Sequence, residues 1–239
     1  MSKKNEYKNQ KKADGLIIDT GCANISSLKF ALERLGYKIA VSSDIEDIKA
    51  ANKVFLPGVG SAEFAMKGIL DRSLAEVIVS LEQPVLGICL GMQLMTNHSV
   101  ENDVDTTCLG LIDTNIAKIE GRSDGQNKGS SEGQNKDSSE GKNEGKSEGK
   151  NLRLPHMGWN TLHSITPSPL FRDLTDKDYF YFVHTYCAPK SDYSLALCHY
   201  GQEFSASINQ GNFYGVQFHP ERSGKAGATL LKNFMEYCL

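Results

Sequence analysis

Apolar positions in this chain fall into short continuous runs separated by stretches with a helical period. Leu16-Ile17-Ile18, Lys38-Ile39-Ala40-Val41, Lys53-Val54-Phe55-Leu56 and Val85-Leu86-Gly87-Ile88 read as strands, the third of them buried. Asn24 opens a helix whose Leu28, Ala31, Leu32 and Leu35 share one face, with Gly36 as its C-cap, and Ile45 to Ala50 forms a second, shorter helix. Strands alternating with helices predict an α/β fold, a parallel sheet with helices on both faces. Beyond residue 150 the pattern is richer in strands: Tyr179 to Val183, Ser194 to Tyr200, Glu203 to Asn209 and Phe213 to Phe218. A last helix near Gly227 points Leu230, Leu231, Phe234 and Met235 inward. Together these predict one mixed, largely parallel sheet with a smaller antiparallel β layer over it.

Two stretches stand outside this pattern. Residues 1–13 are polar and lysine-rich, a frayed tail. Residues 121–150 contain 7 Gly, 6 Ser and 12 charged residues whose signs cancel, with no apolar residue at all. Such a segment cannot bury enough surface to offset its ordering entropy, so it is expected to be a disordered insert. The predicted domain is therefore 14–239, interrupted by 121–150.

Composition narrows the function classes. The net charge of −3 gives no sign of a nucleic-acid or membrane surface. No apolar run approaches the ~18 residues of a membrane span, and no signal-peptide core precedes the first strand. The six cysteines form no Cys-x-x-Cys pair, which points to reduced thiols in a cytoplasmic setting. The six histidines show no ligand spacing and no nucleotide-binding glycine fingerprint is present, so neither metal nor cofactor is expected.

Chemistry concentrates at three places. The run ending Gly87-Ile88-Cys89-Leu90-Gly91 is a nucleophile elbow with sulfur as nucleophile. A strand stops, the chain turns sharply, and a helix N-terminus facing the sulfur favours a thiolate. The Leu90 N–H, next after the nucleophile, is the first oxyanion donor. Far downstream, His219 ends an aromatic strand and Glu221 follows two residues later, on the same side of an extended chain. An imidazole held by a carboxylate is what a thiol nucleophile needs as its base. Taken alone, His219-Pro220-Glu221 reads equally well as a surface turn. Pro57-Gly58-Val59-Gly60 can turn its peptide N–H groups toward an oxyanion, or can be an ordinary strand-to-helix turn.

These three segments resemble the signatures of class I, or triad, glutamine amidotransferases. More narrowly, Asp19 to Asn24, Pro155-His156-Met157-Gly158-Trp159-Asn160, Phe182 to Tyr186 and His219 to Gly224 resemble the glutaminase subunits of imidazole glycerol phosphate synthases. The resemblance implies the flavodoxin-like amidotransferase fold and hydrolysis of glutamine through a Cys89 thioester, with His219 and Glu221 completing the triad. It implies an oxyanion hole around Gly58, Val59, Gly60 and Leu90, with a loop that flips into place when the partner is loaded. Gln93, Thr185 and Tyr186 would contact substrate glutamine. Asn24, Trp159, Tyr181 and Arg222 would lie at the ammonia passage into a (β/α)8 cyclase, the heterodimer partner, which makes imidazole glycerol phosphate and aminoimidazole carboxamide ribotide in histidine biosynthesis. Many members carry Lys where this chain has Arg222, and Gly-x-Gly-Asn in place of Gly21-Cys22-Ala23-Asn24. Two other readings share the triad: a glutaminase feeding a different synthase, and a catalytically silent scaffold for the cyclase.

Overall fold

The computed structural model describes residues 13–21, 24–120 and 152–239. The tail (save residue 13), Cys22 and the 121–150 insert lie outside the described residues. In chain order the elements are β1 (Gly15–Ile18), α1 (Ile25–Arg34), β2 (Ile39–Ser42), α2 (Ile45–Ala50), β3 (Val54–Gly58), α3 (Ala62–Asp71), α4 (Ala75–Val79), β4 (Val85–Cys89) and α5 (Leu90–Leu94). Next come β5 (His98–Glu101), β6 (Val104–Thr107), β7 (Asn115–Lys118), β8 (His156–Thr161), β9 (Tyr179–His184) and β10 (Tyr186–Cys187). The chain closes with β11 (Ser194–Tyr200), β12 (Gln202–Gln210), β13 (Phe213–Val216) and α6 (Gly224–Tyr237).

Seven strands form the central sheet in the order β11-β12-β13-β4-β3-β1-β2. From β2 across to β13 the pairings are parallel, while β12 and β11 extend the sheet antiparallel. Strands β1, β3 and β4 are buried throughout, which explains their unbroken apolar runs. Alternate side chains on these strands feed two separate cores. Ile17, Phe55, Leu86 and Ile88 pack with α1 and α6 on one face. Leu16, Ile18, Val54, Leu56 and Val85 pack with α3, α4 and α5 on the other. A four-stranded sheet, β10-β7-β5-β6, covers part of the second core, antiparallel except where β5 meets β7. The third sheet is an antiparallel ribbon of β8 and β9.

The predicted α/β sheet is thus present, with several shifted boundaries. Strand β13 stops at Val216, two residues before the expected Phe218, because the chain leaves the sheet there for the ribbon: the His219 N–H donates to the Tyr181 carbonyl at 2.9 Å. Residues Pro220–Arg222 form a single 3-10 turn, so the extended geometry expected for Glu221 does not occur. Helix α6 starts at Gly224 and not near Gly227. Strands β5, β6, β7 and β8 carried no clear pattern in the sequence, since each is short or mostly solvent-facing.

The chain proceeds from β1 outward to β2, then returns to β3 on the opposite side of β1. Ligands in open α/β sheets bind beyond the carboxyl ends of the strands near such a reversal. The segments leaving the carboxyl ends of β1, β3, β4 and β13 carry Asn24, Val59-Gly60, Cys89 and His219.

Candidate active site

Cys89 occupies the last residue of β4 and the position just before α5, with φ 53° and ψ −110°. Such a backbone is strained for a residue with a side chain and persists only where the surroundings impose it. Here they do. A Cβ added to Gly91 would lie 1.7 Å from the Leu56 carbonyl oxygen, so α5 packs against β3 at a separation only glycine permits. The sulfur is thereby aimed out of the sheet edge while the residue itself stays 8% exposed.

His219 reaches the same point from β13. Its Nδ1 lies 2.9 Å from Glu221 Oε1, an ion pair whose two side chains are almost fully buried. With Nδ1 committed to the carboxylate, Nε2 is the nitrogen left for Cys89. Burial alone would lower the imidazole, but hydrogen bonds to Cys89 and Glu221, with the charges behind them, hold it up at about 10 against an ordinary 6.5. The 3-10 turn does the work expected of an extended chain, curling the carboxylate back onto the ring. Ser223 locks this turn by donating its hydroxyl to the His219 carbonyl and accepting from the Tyr181 N–H.

A thiol, an imidazole and a carboxylate are therefore brought together from β4 and from the segment after β13, 130 residues apart in sequence. The sequence profile of "Glutamine amidotransferase class-I" matches residues 16–238. The chain belongs to the class-I glutamine amidotransferases. Among its relatives, the imidazole glycerol phosphate synthase subunit HisH of Vibrio cholerae is 47% identical over 225 residues, covering 92% of this chain and 97% of that one. The HisH subunit of Shewanella loihica is 47% identical over 233 residues, covering 93% and 90%. A solved glutamine amidotransferase, only 14% identical, superposes with a TM-score of 0.63 over 92% of this chain and 97% of its own, a likeness of fold.

In this amidotransferase the triad opens into a cavity of about 490 Å³. Val59, Gly60, Leu90, Gln93, Thr185 and Tyr186 line it together with Cys89 and His219. Gly58 does not. It pairs in register with Cys89 and packs against Gly91 and Leu90, lining a small void behind the triad beside His219 and Glu221. Gln93 is buried and spends both amide hydrogens, on the Tyr186 carbonyl and on Gln217 Oε1, each at 3.0 Å. What it can offer a ligand is its carbonyl oxygen. Thr185 and Tyr186 likewise have carbonyls already in use, accepting from the Ile119 N–H and from His184 Nδ1.

Asn24 sits at the start of α1 in the left-handed region, φ 79°, without capping the helix. Its side chain turns inward and donates to Glu221 Oε1 at 2.9 Å. Trp159 and Tyr181 face each other across the β8–β9 ribbon at 5.9 Å between ring centroids. Met157, Trp159 and Tyr179 on that side of the ribbon are more than half exposed, whereas the opposite side buries His156, Phe180, Phe182 and His184. Arg222, at the rim of the cavity, is exposed.

One feature had no signal in the sequence, and a second was visible there only in part, as a core role for His184. Glu101, from the end of β5, lines the cavity as a carboxylate while accepting from the Ala62 N–H and the Ser99 hydroxyl. No short motif marks it, because only the fold carries the small sheet over to the elbow. The second is a pair of buried histidines. His184 Nδ1 faces a carbonyl and must donate, so its Nε2 accepts from His156 Nδ1 at 3.0 Å, and His156 Nε2 accepts in turn from Asn160. Both rings are neutral: burial pushes His156 down to about 4 and, with His156 and His219 nearby, pushes His184 down to about 3. The other described cysteines, 108, 187, 198 and 238, are buried, and burial pushes their thiols up to between about 11 and about 12. Among the described residues no helix is long and apolar enough to cross a membrane, and no group of three or more His, Cys, Asp and Glu could hold a metal.

Proposed function

We propose that this chain is the glutaminase half of an imidazole glycerol phosphate synthase, producing ammonia for a (β/α)8 cyclase docked over its triad. The observation that carries the chemistry is the placement of the His219 ring, with Nδ1 2.9 Å from a buried carboxylate and Cys89 beside it in the same cavity. An imidazolium at that place supports a thiolate beside it and has a proton ready for a leaving amine. Cys89 Sγ attacks the side-chain carbonyl carbon of glutamine. The C–N bond breaks as His219 Nε2 hands its proton to the nitrogen, ammonia departs, and a glutamyl thioester remains. His219, now neutral, takes a proton from water, whose oxygen displaces the sulfur to give glutamate.

The oxyanion formed in each half is received by the Leu90 N–H and by the N–H groups around Val59 and Gly60. At the other end of the substrate, the Gln93 carbonyl oxygen and the Glu101 carboxylate supply acceptors for an α-ammonium, beside the backbone of Thr185 and Tyr186. The partner would cover the apolar outer side of the β8–β9 ribbon. An exposed row of Met157, Trp159 and Tyr179, with Tyr181 and Arg222 beside it, is the aromatic and arginine composition found at the centre of interfaces. Ribbon and base are one unit, since the Tyr181 carbonyl and N–H hold the His219 turn.

The test is glutamate release from glutamine by the chain alone, and with its cyclase plus the ribonucleotide ligand, with Cys89→Ala as control. Strong stimulation in the complex and none in the variant is the expected result. Labelling of Cys89 by a glutamine-like electrophile without stimulation would point to a different synthase. No labelling and no turnover would leave a scaffold.

A further inference from the structure

We infer that Gln217 is a positioning residue for the nucleophile: its side-chain amide donates a hydrogen bond to Cys89 Sγ, and the Tyr186 carbonyl dictates which way that amide points. The inference rests on reading Cys89 as the nucleophile and adds a group that neither the triad nor the oxyanion hole contains. Gln217 is fully buried, between the end of β13 and His219. A buried amide is costly unless its donors and acceptor are all used, so its partners matter.

The partners form a chain with one consistent orientation. A carbonyl oxygen can only accept, so the Gln93 group 3.0 Å from the Tyr186 carbonyl must be its NH2. That NH2 is also 3.0 Å from the Gln217 side chain, which must therefore present its oxygen there. The Gln217 NH2 is left facing Cys89 Sγ at 3.7 Å, a normal donor distance to sulfur. Flipping Gln93 would set its oxygen against the Tyr186 carbonyl, and flipping Gln217 would set two NH2 groups against each other. The same Tyr186 carbonyl accepts from His184 Nδ1, which keeps it in place.

A donor on sulfur has a defined chemical effect. It stabilises the thiolate over the thiol, and it withholds one orbital of the sulfur so that the remaining ones point into the cavity. The titratable and charged groups around Sγ are His219, with Glu221 behind it, and Glu101, His184 and Arg222 in the cavity wall. Of these only His219 is a direct donor to the sulfur, so Gln217 is the second fixed one.

The experiment follows alkylation of Cys89 by iodoacetamide in the full chain over a range of pH, with the labelled residue located by mass spectrometry. Gln217→Leu removes both the donor and the acceptor for Gln93. Gln217→Glu keeps the shape and that acceptor but turns an anion toward the sulfur. Alkylation at neutral pH should fall about tenfold in Gln217→Leu, the scale of one hydrogen bond to a charged group, and further in Gln217→Glu. The pH profile should move upward in the same order. In turnover, Gln217→Glu should lower kcat with little change in KM, whereas Gln217→Leu, which frees Gln93, should alter both. If Gln217→Leu does not fold, the isosteric Gln217→Glu decides the matter. Unchanged profiles in folded variants would overturn the assignment while leaving Cys89 as nucleophile. A wild-type Cys89 that resists labelling at every pH would overturn both.

Discussion

Asn24 Nδ2 lies 2.9 Å from Glu221 Oε1, the same oxygen that receives His219 Nδ1. One carboxylate oxygen therefore takes two donors from opposite ends of the chain, while Oε2 is buried without a partner among the described residues. Asn24, which the family resemblance places at the partner interface, is bonded here to the orienting member of the triad. Replacing it with Ala should leave the carboxylate freer to rotate and lower kcat about tenfold, the scale of one charge-assisted hydrogen bond. KM should change little. Asn24→Asp should be worse, because it sets a second anion against Glu221. Steady-state glutamine hydrolysis measures both, and kcat at the wild-type value in Asn24→Asp would show that the contact is passive.

His219 should remain an imidazolium well into the alkaline range. Its raised value of about 10 depends on Cys89 as well as on Glu221, although burial opposes both. Titration followed by NMR of ring-labelled histidine should therefore show His219 losing its proton at a distinctly lower pH in Cys89→Ala than in the wild type. Identical titrations would mean that sulfur and imidazole are not in contact.

Acid should destabilise the fold through the buried histidine pair. His156 and His184 sit below their ordinary 6.5, so the unfolded chain binds protons that the folded chain refuses. The stability they contribute is fully present above about pH 6.5 and is lost as pH falls toward about 4 and about 3. For His184, the more deeply enclosed ring, the loss near pH 4.5 is about 2 kcal/mol. Urea unfolding at neutral and acid pH reads this directly. His156→Phe, which keeps a flat ring between Phe182 and Tyr200, should show a shallower acid loss than the wild type.

Gly91→Ala should abolish the elbow. The new methyl would meet the Leu56 carbonyl, a backbone atom of a buried strand that cannot turn aside. A loss of about 3 kcal/mol or more is expected, visible as a large drop in Tm or as insoluble protein. A melting temperature near that of the wild type would mean that β3 and α5 are farther apart than described.

Trp159→Ala separates folding from docking. The ring is 54% exposed on the outer side of the ribbon, so the stability change should stay within about 0.5 kcal/mol. Affinity for the cyclase, measured by calorimetry, should fall by more than about 2 kcal/mol if Trp159 is a central anchor. Full affinity would place the partner elsewhere.

Much of the site was legible in the linear chain because its chemistry is local. Gly87, Cys89 and Gly91 specify a turn within five residues, and His219 and Glu221 are near neighbours in any conformation. Strands β1, β3 and β4 were legible for a related reason: burial on both faces leaves a continuous apolar run. The less legible parts are those where one face or one contact decides. Strands β5 to β7 are short and half-wet, so no period stands out, and with them went Glu101. Strand β8 alternates a buried His156 with an exposed Met157 and a half-buried Gly158 with an exposed Trp159, an inversion of the usual code.

By itself, then, the sequence determined the α/β class and singled out Cys89, His219 and Glu221 as the proposed nucleophile, base and orienting carboxylate. Tertiary structure alone decided how they are held: Asn24 on Glu221, Tyr181 on the His219 turn, and Gln93 and Gln217 between Tyr186 and the sulfur. The physical reason is range. Backbone period and turn chemistry act over a few residues and are written in neighbours, whereas a buried hydrogen bond takes whichever donor the packed fold delivers within about 3 Å.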